Sequence, residues 1–481
     1  MQPLPQLVVG FDLDMTLIDS RPGIAAALDV LSAETGVHID SAAAVGRLGP
    51  PLDEELARWF PAEQVAPMAD RFRALYPDLA IRPTGMLPGA REAVDAVHRL
   101  GGRVVVVTAK YEPNARLHLE HLGIAADEVV GWRWGPAKGA ALREHGATVY
   151  VGDHVADVAG ARVAGAISVG VASGPVPADE LRDAGADVVL EDLHGFAAWL
   201  DGHVLDLRLA ALEVRLRELG SVLVAFSGGA DSALLLAAAV RTLGADAVAA
   251  ATAVSSSLPG AELDAAGPFC DGLGVRHLRP ATREMDRDGY RANAGDRCYF
   301  CKAELLDVLG PLAHELGLAH VATGTNADDA VAGFRPGIRA AAERAAVTPL
   351  LDAGLTKDQV RAASRRWGLP TWDKPAAACL SSRVAFGIEI SPSRLARVER
   401  AEAGARAALA AAGVAVENLR VRDLGDTARL EVDISAVPVA ESTAAVLDAV
   451  RAAGFEDVEV DPRGFRSGAM NELLPDPEHY R

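Results

Sequence analysis

Residues 221–236, SVLVAFSGGADSALLL, run from an apolar stretch through paired glycines into an Ala- and Leu-rich stretch. This order predicts a buried strand, a loop and a helix. Glycines let the backbone approach an anion closely, and the unpaired amides at the start of a helix can bind it. The segment therefore predicts a phosphate-binding loop within an α/β domain.

Similar strand-like runs occur before and after this segment. Each is followed by a helical stretch, a pattern typical of parallel sheets with crossover helices. The runs are QLVVGFDLD (6–14), GRVVVVTAK (102–110), TVYVGDHVAD (148–157), DAVAAATAVS (246–255) and AHVATGTNADD (319–329). We therefore predict two α/β domains with parallel sheets.

The domain boundaries follow from these runs. Residues 1–202 form one predicted domain with a Rossmann-like parallel sheet, and residues 203–385 form a second α/β domain. The stretch between the first two runs is too long for one crossover, which predicts a helical cap at about residues 18–83. Alternating patterns in LRVRDLGDTARLEVDI and FEDVEVDP predict a small α+β subdomain at residues 386–481.

The composition limits the classes of partner. Among 481 residues, 47 Lys and Arg stand against 66 Asp and Glu, a formal net charge of -19. This charge repels polyphosphate chains and anionic membranes, so we expect small-molecule substrates and neither nucleic acid nor membrane as partner. Four cysteines are too few to form a disulfide scaffold in a chain of this length. The N-terminus lacks the pattern of a signal peptide. We expect a reducing, cytoplasmic location.

Polar residues follow the strands of the first domain. At or just beyond the carboxyl ends of these strands, where α/β proteins bind ligands, the sequence places Asp12, Asp14, Thr108, Lys138, Asp153 and Asp157. The first two aspartates alone could form an acidic turn at a strand end. The other four positions converge on the same sheet edge and favour a catalytic site.

Together these residues resemble the four ordered motifs of the haloacid dehalogenase superfamily of phosphatases. The resemblance implies that Asp12 attacks phosphorus, and that Asp14 protonates the leaving oxygen and later activates water. It further implies phosphate binding by Thr108 and Lys138 and a Mg²⁺ site formed by Asp12, Asp14, Asp153 and Asp157. The loops GRLGPPLDEEL (46–56) and MLPGAREAV (86–94) resemble the phosphoglycolate phosphatase branch. We expect a phosphate monoester as substrate. Lys110 is expected to be solvated; the alternative is that it contacts the phosphate.

The string SGGADS (227–232) resembles the PP-loop of ATP pyrophosphatases, which cleave ATP between the α and β phosphates and adenylylate a substrate oxygen. The resemblance implies an adenine nucleotide alpha hydrolase-like domain that uses ATP and Mg²⁺. In this family, Asp231 would assist the Mg²⁺ bound to the pyrophosphate. The residues expected around the pyrophosphate are Ser227, Gly228, Gly229 and Ser232.

Three further strings resemble one sulfur-transfer family. They are GDRCYFCKAELL (295–306), ATGTNADDAVAGFRPGIRAA (322–341) and KPAAACLSSRVAFG (374–387). The family is the ATP-dependent sacrificial sulfur transferases that mature lactate racemase. These enzymes thiolate a pyridinium carboxylate mononucleotide, activated as its adenylate, to make the nickel-pincer nucleotide. The resemblance covers roughly residues 206–481.

The cysteines indicate how sulfur is handled. Cys379 matches the expected sulfur-handling residue, and family members with this cysteine alone lose its sulfur and turn over once. Cys298 and Cys301 add a C-x-x-C pair, for which a redox disulfide or half of a zinc site are alternatives. Members that resemble this arrangement are expected to hold a [4Fe-4S] cluster through three cysteines, leaving the fourth iron open to sulfide. The transferred sulfur then comes either from Cys379 or from that sulfide. Cys270 is predicted to be an inert buried thiol.

Further charged residues of the second half are candidates for substrate binding. By resemblance, Arg335 and Arg383 are clamps for carboxylate or phosphate. Arg420 and Arg422 lie two apart on a predicted strand, so they share a face and either hold nucleotide phosphate or are surface residues. The acidic candidates are Glu402 and Glu431, which could support a metal or substrate, and Asp328 and Asp329, which either contact nucleotide or metal or cap a helix.

Two other functions compete with a sulfur transferase of nickel-pincer nucleotide biosynthesis fused to a phosphatase. An ATP-dependent tRNA thiolase with a fused phosphatase would share the PP-loop and, in some relatives, a three-cysteine cluster. It should present a basic face, which the net charge of -19 disfavours. An inactive binding scaffold is disfavoured by the complete motifs in both domains. The resemblance also implies a homo-oligomer, such as a hexamer.

Overall fold

The computed structural model describes residues 6–331, 336–375, 378–466 and 468–473. The chain divides into two compact units, Gln2–Val204 and Leu205–Arg481. Arg335, one of the predicted anion clamps, lies outside the described residues. Within the described ranges, no helix combines the length and the apolar character needed to cross a bilayer.

The first unit is built on a parallel sheet of valine-rich strands. Its strands are β1 (Val8–Phe11), β2 (Ile18–Asp19), β3 (Gly85–Met86), β4 (Arg103–Val107), β5 (Glu128–Val130), β6 (Val149–Gly152), β7 (Ile167–Val171) and β8 (Val188–Leu190). The main sheet has the order β5-β4-β1-β6-β7-β8, and its neighbouring strands are parallel. β1 therefore lies between β4 and β6, with all its residues buried.

The helices of the first unit cover both faces of this sheet or form a separate cap, and the last of them continues past Val204 into the second unit. They are α1 (Arg21–Thr35), α2 (Ser41–Val45), α3 (Leu52–Leu56), α4 (Ala62–Leu79), α5 (Ala90–Arg99), α6 (Glu112–Leu122), α7 (Pro136–Glu144), α8 (Val155–Ala164), α9 (Ala178–Asp183) and α10 (Phe196–Leu219). Because side chains alternate along a strand, Val104 and Val106 pack with α5, and Val105 and Val107 pack with α7 and α8.

Helices α1 to α4 form a cap with its own apolar core. The chain leaves and re-enters the sheet domain through the antiparallel pair β2 and β3, in which Ile18 faces Met86. Leu28 and Leu31 of α1 pack against Phe72 and Tyr76 of α4 within this core. The region predicted as a helical cap is therefore helical.

The second unit contains a smaller parallel sheet and a separate C-terminal sheet. The strands are β9 (Val222–Ala225), β10 (Val248–Ala251), β11 (Arg276–Leu278), β12 (His320–Thr323), β13 (Leu419–Asp423), β14 (Thr427–Val432) and β15 (Asp457–Val460). The parallel sheet has the order β11-β10-β9-β12. In the order β13-β14-β15, the first pair is antiparallel and the second parallel.

The helices of this unit pack against its two sheets. They are α11 (Ala230–Leu243), α12 (Gly260–Gly272), α13 (Asp288–Arg291), α14 (Arg297–Glu315), α15 (Ala327–Val331), α16 (Pro336–Glu343), α17 (Pro349–Asp352), α18 (Lys357–Arg366), α19 (Pro392–Ala411), α20 (Val437–Ser442) and α21 (Ala444–Ala452). A 3-10 turn at Leu380–Arg383 follows Cys379. The predicted α/β class with parallel sheets is confirmed.

Candidate active sites

In the first unit, carboxylates gather at the carboxyl edge of the main sheet. Asp12 follows β1 and Asp153 follows β6, so the pairing of these two strands brings them together. Asp157 lies in the first turn of α8. One ligand oxygen from each of the three lies within 4.8 Å of the others, and all three residues are buried. Gly152 leaves room for this arrangement, because a Cβ there would lie 2.4 Å from an Asp157 carboxylate oxygen.

Lys138 provides positive charge at this cluster. Its Nζ lies 3.0 Å from Asp12 Oδ1 and 2.6 Å from Asp157 Oδ1, and the side chain is fully buried. Burial raises the pKa of Asp12 to about 7; the Lys138 charge opposes this rise, and the charges of Asp157 and Asp14 add to it. One ammonium therefore faces three buried carboxylates and contacts two of them. This excess of hard oxygen ligands fits a Mg²⁺ ion.

Asp14 makes different contacts from Asp12. Its carboxylate accepts a hydrogen bond from Ser20 and lies 3.0 Å from Lys110 Nζ, outside the three-carboxylate group. The expectation of a solvated Lys110 is wrong: its side chain is 7% exposed, and its Nζ donates to Tyr76 Oη at 2.7 Å. The reason is the cap, because α4 places Tyr76 over the loop that follows β4. Thr108 in that loop is also buried.

Two hydroxyl groups that were not among the predicted site residues complete this site. Thr16 Oγ1 donates to Asp153 Oδ1 at 3.0 Å. Tyr150 Oη lies 3.2 Å from Asp157 Oδ1 and 2.9 Å from the Val107 carbonyl oxygen. Thr16 belongs to the first motif, so its spacing could have identified it, whereas Tyr150 sits in an apolar strand without such a signal.

In the second unit, the predicted phosphate-binding loop lies between β9 and α11. Gly228 has φ +73°, a left-handed conformation that favours glycine. Ser232 Oγ donates to the Gly229 carbonyl at 3.1 Å and accepts from the Ser227 amide at 3.3 Å. Asp231 is held by Asn326 Nδ2 at 3.0 Å and by Lys357 Nζ at 3.2 Å. The loop is thus closed on itself and anchored to later segments.

A cavity of about 330 Å³ opens beside this loop. It is lined by Ser227, Asp231 and Ser232 from the loop region, and by Cys301, Lys302 and Cys379 among other residues. Each cysteine of the chain is a thiol. Burial raises the pKa of Cys301, and the charges of Cys379, Glu284 and Cys298 add to this effect. Two of the three predicted sulfur-handling residues therefore share a cavity with the phosphate-binding loop.

The third cysteine, Cys298, is exposed and lies three residues before Cys301 on α14. Residues at this spacing are neighbours on a helix. Across the described ranges, the three cysteines do not form a group compact enough for a single metal ion. This disfavours a preformed zinc site. The ligands of a four-iron cluster bind different irons and lie farther apart than those of a single ion, so this observation does not bear on a [4Fe-4S] cluster.

Comparisons with known proteins identify both units. The family model of haloacid dehalogenase-like hydrolases matches residues 9–162. A phosphoglycolate phosphatase of Rhodospirillum rubrum is 31% identical over 222 residues, covering 41% of this chain and 91% of that protein.

Two other relatives match over more residues than the first unit contains, so these matches include residues of the second unit. An uncharacterised protein of Synechocystis is 40% identical over 274 residues, 56% of this chain and 99% of the relative. The pyridinium-3,5-bisthiocarboxylic acid mononucleotide synthase of Lactiplantibacillus plantarum is 32% identical over 266 residues, 55% of this chain and 94% of that protein. The chain fuses a haloacid dehalogenase-like hydrolase to a member of this synthase family. We call Gln2–Val204 the hydrolase unit and Leu205–Arg481 the synthase-family unit.

The synthase-family unit buries a group of arginines and glutamates beside Cys379. Arg383 is 3% exposed; its Nε donates to Glu402 at 2.9 Å, and its Nη1 donates to the carbonyls of Ala378 and Cys379. Arg422 is 6% exposed and contacts Glu431 at 2.6 Å. The alternative of a surface arginine is therefore wrong for Arg422.

Arg420 of the synthase-family unit is half-buried on the same strand as Arg422. Burial lowers the pKa of Arg420 to about 10, and the nearby Arg383 charge adds to this shift while Glu402 opposes it. The Arg420 guanidinium also lies over the Phe465 ring, at 5.4 Å from its centroid. The side chains of Arg383, Arg420 and Arg422 therefore lie close together next to the Cys379 segment.

The acidic pair after β12 has a structural role. Asp328 Oδ2 accepts from the Lys357 amide at 2.7 Å, and Asp329 Oδ2 accepts from the Asn326 amide at 3.2 Å. Asp329 also lines the cavity. Asn326 and Lys357 were missed by sequence reasoning, although Asn326 lies within the GTNADD string. Cys270 is fully buried on α12, as expected, and burial raises its pKa to about 11.

Proposed function

We propose that the synthase-family unit is an ATP-dependent sulfur transferase that thiolates a pyridinium carboxylate mononucleotide in nickel-pincer nucleotide biosynthesis. The observation that carries this proposal is the single cavity shared by the phosphate-binding loop, Cys301 and Cys379. The named synthase among the relatives supports the same class of substrate. Arg383, Arg420 and Arg422 outnumber their neighbours Glu402 and Glu431 by one charge, which would supply positive charge near Cys379 for an anionic substrate.

The reaction needs two displacements in this cavity. A substrate carboxylate oxygen attacks the α-phosphorus of ATP, and pyrophosphate leaves. A sulfur nucleophile then attacks the acyl carbon, and AMP leaves. The loop amides and hydroxyls of Ser227 and Ser232 bind the phosphates, and Asp231 is oriented by Asn326 and Lys357.

The three cysteines determine whether the sulfur transfer can be repeated. A [4Fe-4S] cluster held by Cys298, Cys301 and Cys379 would supply an iron coordination position open to sulfide. Burial keeps the Cys301 thiol protonated in the absence of a metal, since it raises the pKa of that group. Metal binding would therefore release a proton from Cys301.

Anaerobic purification with iron and sulfide analysis tests this proposal. We expect about four iron and four sulfide per chain, lost in Cys301→Ser and retained in the control Cys270→Ala. Mass spectrometry of the Cys379 peptide after incubation with ATP and substrate should show an unchanged mass. Conversion of Cys379 to dehydroalanine would instead show that its own sulfur is transferred, and thiolation of bulk tRNA would contradict the substrate class.

For the hydrolase unit, we propose a Mg²⁺-dependent phosphatase that acts on phosphate monoesters. Asp12 would attack phosphorus, Lys138 would bind the phosphoryl oxygens, and Asp14 would protonate the leaving alkoxide. A bound Mg²⁺ would neutralise the charge of the transferring phosphoryl group. Comparing wild type with Asp12→Asn on a panel of phosphate esters tests the assignment, which fails if neither protein releases phosphate from any ester.

A further inference from the structure

The hydrolase unit contains a cavity of about 380 Å³ between the cap and the catalytic edge of the sheet. Its lining includes Asp12, Asp14 and Thr108 at the reacting end. This volume falls within the range of cavities that bind drug-sized ligands, and glycolate has only a handful of atoms.

Five aromatic side chains line this cavity. They are contributed by the cap and by the loops that follow β4 and β5: Phe72, Tyr76, Tyr111, Trp132 and Trp134. Tyr111 and Trp132 have ring centroids 5.3 Å apart at an interplanar angle of 35°. Arg73 of α4 places its Cζ 5.4 Å from the Trp132 ring centroid. Away from the catalytic end, the lining combines flat aromatic rings with charged side chains of the cap, including Arg47, Glu55 and Arg73.

Trp132 is the unusual residue of this wall. Its side chain is 58% exposed, although it is one of the largest apolar side chains in the unit. Its φ of +56° is a rare conformation for a bulky residue, one that costs free energy and tends to occur at functional sites.

Backbone hydrogen bonds hold Trp132 in this conformation. The Trp132 amide donates to the Lys110 carbonyl at 3.0 Å, and the Arg133 amide donates to the Thr108 carbonyl at 2.9 Å. These bonds fix the Trp132 backbone relative to the loop that carries Thr108. The exposed indole ring therefore starts from a fixed backbone position beside this loop, where Tyr111 and Arg73 contact it.

From this juxtaposition we propose that the hydrolase unit selects phosphate monoesters whose alcohol carries a planar aromatic ring, and that Trp132 and Tyr111 bind this ring. The inference rests on the proposed phosphatase activity and names its substrate class. Hydrolysis breaks the ester P–O bond; the alkoxide takes a proton to give the ring-bearing alcohol, and water supplies the oxygen of inorganic phosphate.

Matched esters isolate the contribution of the ring. AMP and nicotinic acid mononucleotide both consist of ribose 5-phosphate with a ring attached, the first a purine and the second a pyridinium. We expect kcat/KM for at least one of them to exceed that for ribose 5-phosphate about 10-fold, because stacking of one base on an aromatic side chain gives an advantage of this order. The better of the two distinguishes the kind of ring.

Variants of Trp132 test whether the preference for ring-bearing esters depends on the aromatic wall of the cavity. Trp132→Leu should reduce the ratio of the two kcat/KM values towards one, and Trp132→Phe should retain most of it. The matched control is Trp199→Leu, which removes an indole that packs on Phe196 and His203 instead, and it should leave the ratio unchanged. Binding of the same esters to the Asp12→Asn protein, measured by calorimetry, should show the same order without turnover.

Equal kcat/KM values for the ringed and ringless esters would overturn the inference, as would a preference for 2-phosphoglycolate over both nucleotides. Loss of the ratio in Trp199→Leu as well as Trp132→Leu would also overturn it. These results leave the phosphatase assignment intact, since an ester is still hydrolysed. Absence of phosphate release from every ester would overturn the proposed function and this inference together.

Discussion

Lys110 Nζ lies 3.0 Å from Asp14 Oδ1, and the lysine side chain is buried beneath the cap. The cap thereby fixes the carboxylate that we assign to protonating the leaving group. We expect Lys110→Gln to lower kcat for phosphate-ester hydrolysis about 100-fold, because a misplaced catalytic group costs about this much. Steady-state kinetics check this, with Arg99→Gln as control because its ion pair with Asp201 is exposed. A similar loss in both variants would contradict a specific role for Lys110.

The stability of the hydrolase unit should decrease in mild acid because of His118. This side chain is fully buried and lies 3.0 Å from Tyr76 Oη; burial, with the Lys110 charge, lowers its pKa from 6.5 to about 4. The unfolded chain therefore binds more protons between pH 4 and 6.5, so stability falls as the pH falls through this window. From pH 7 to pH 5, wild type should lose about 2 kcal/mol more than His118→Gln.

Urea unfolding of the full chain at both pH values measures this difference. His121→Gln is the matched control, since His121 is exposed on the same helix. It should keep the wild-type dependence on pH. If His118→Gln and wild type lose equal stability, His118 does not titrate as described.

Breaking the buried ion pair of the C-terminal sheet should destabilise the synthase-family unit. Arg422 and Glu431 pair at 2.6 Å, with side chains 7% and 2% exposed. Glu431→Gln leaves a buried guanidinium without its counter-charge and should cost about 3 kcal/mol of unfolding free energy. In the exposed pair Arg429–Glu459 on the neighbouring strands, Glu459→Gln should cost less than about 1 kcal/mol. Urea unfolding at pH 7 compares the two, and equal costs would refute the argument.

The two activities should be separable by single substitutions, because each unit has its own apolar core and its own site. Asp12→Asn should lower phosphate release more than about 1,000-fold. It should leave sulfur transfer within about two-fold, since sites that share no partners behave additively. Cys379→Ala should show the reverse. Assaying both reactions on each variant checks this, and loss of both activities in either variant would show that the sites depend on each other.

The fold class and the position of the catalytic edge could be predicted because parallel strands leave a strong local signal. Apolar runs that end in Gly, Asp or Thr mark both the strand and its carboxyl end. These ends meet at one edge of the sheet. Asp12 and Asp153 could therefore be placed together from the sequence, although they are 141 positions apart. The structure brings their carboxylates into one group.

Contacts that depend on helix packing could not be predicted in the same way. Lys110 is buried only because α4 of the cap covers it, and no local pattern encodes that approach. Likewise, Lys357 reaches Asp231 from a helix far along the chain. The side-chain partners of a motif depend on which distant segments pack against it. The motif itself can be recognised from adjacent residues in the sequence.

Side-chain hydrogen bonds anchor the chain before and after Cys379. Lys374 donates to the Gly228 carbonyl at 3.0 Å, and Arg383 binds the carbonyls of Ala378 and Cys379 while pairing with Glu402. Neither anchor involves the C-x-x-C pair, which belongs to α14. Substituting Cys298 and Cys301 should therefore leave both anchors of Cys379 in place. Under the proposed mechanism, two codons would then decide between transfer of the Cys379 sulfur and transfer of a cluster-bound sulfide.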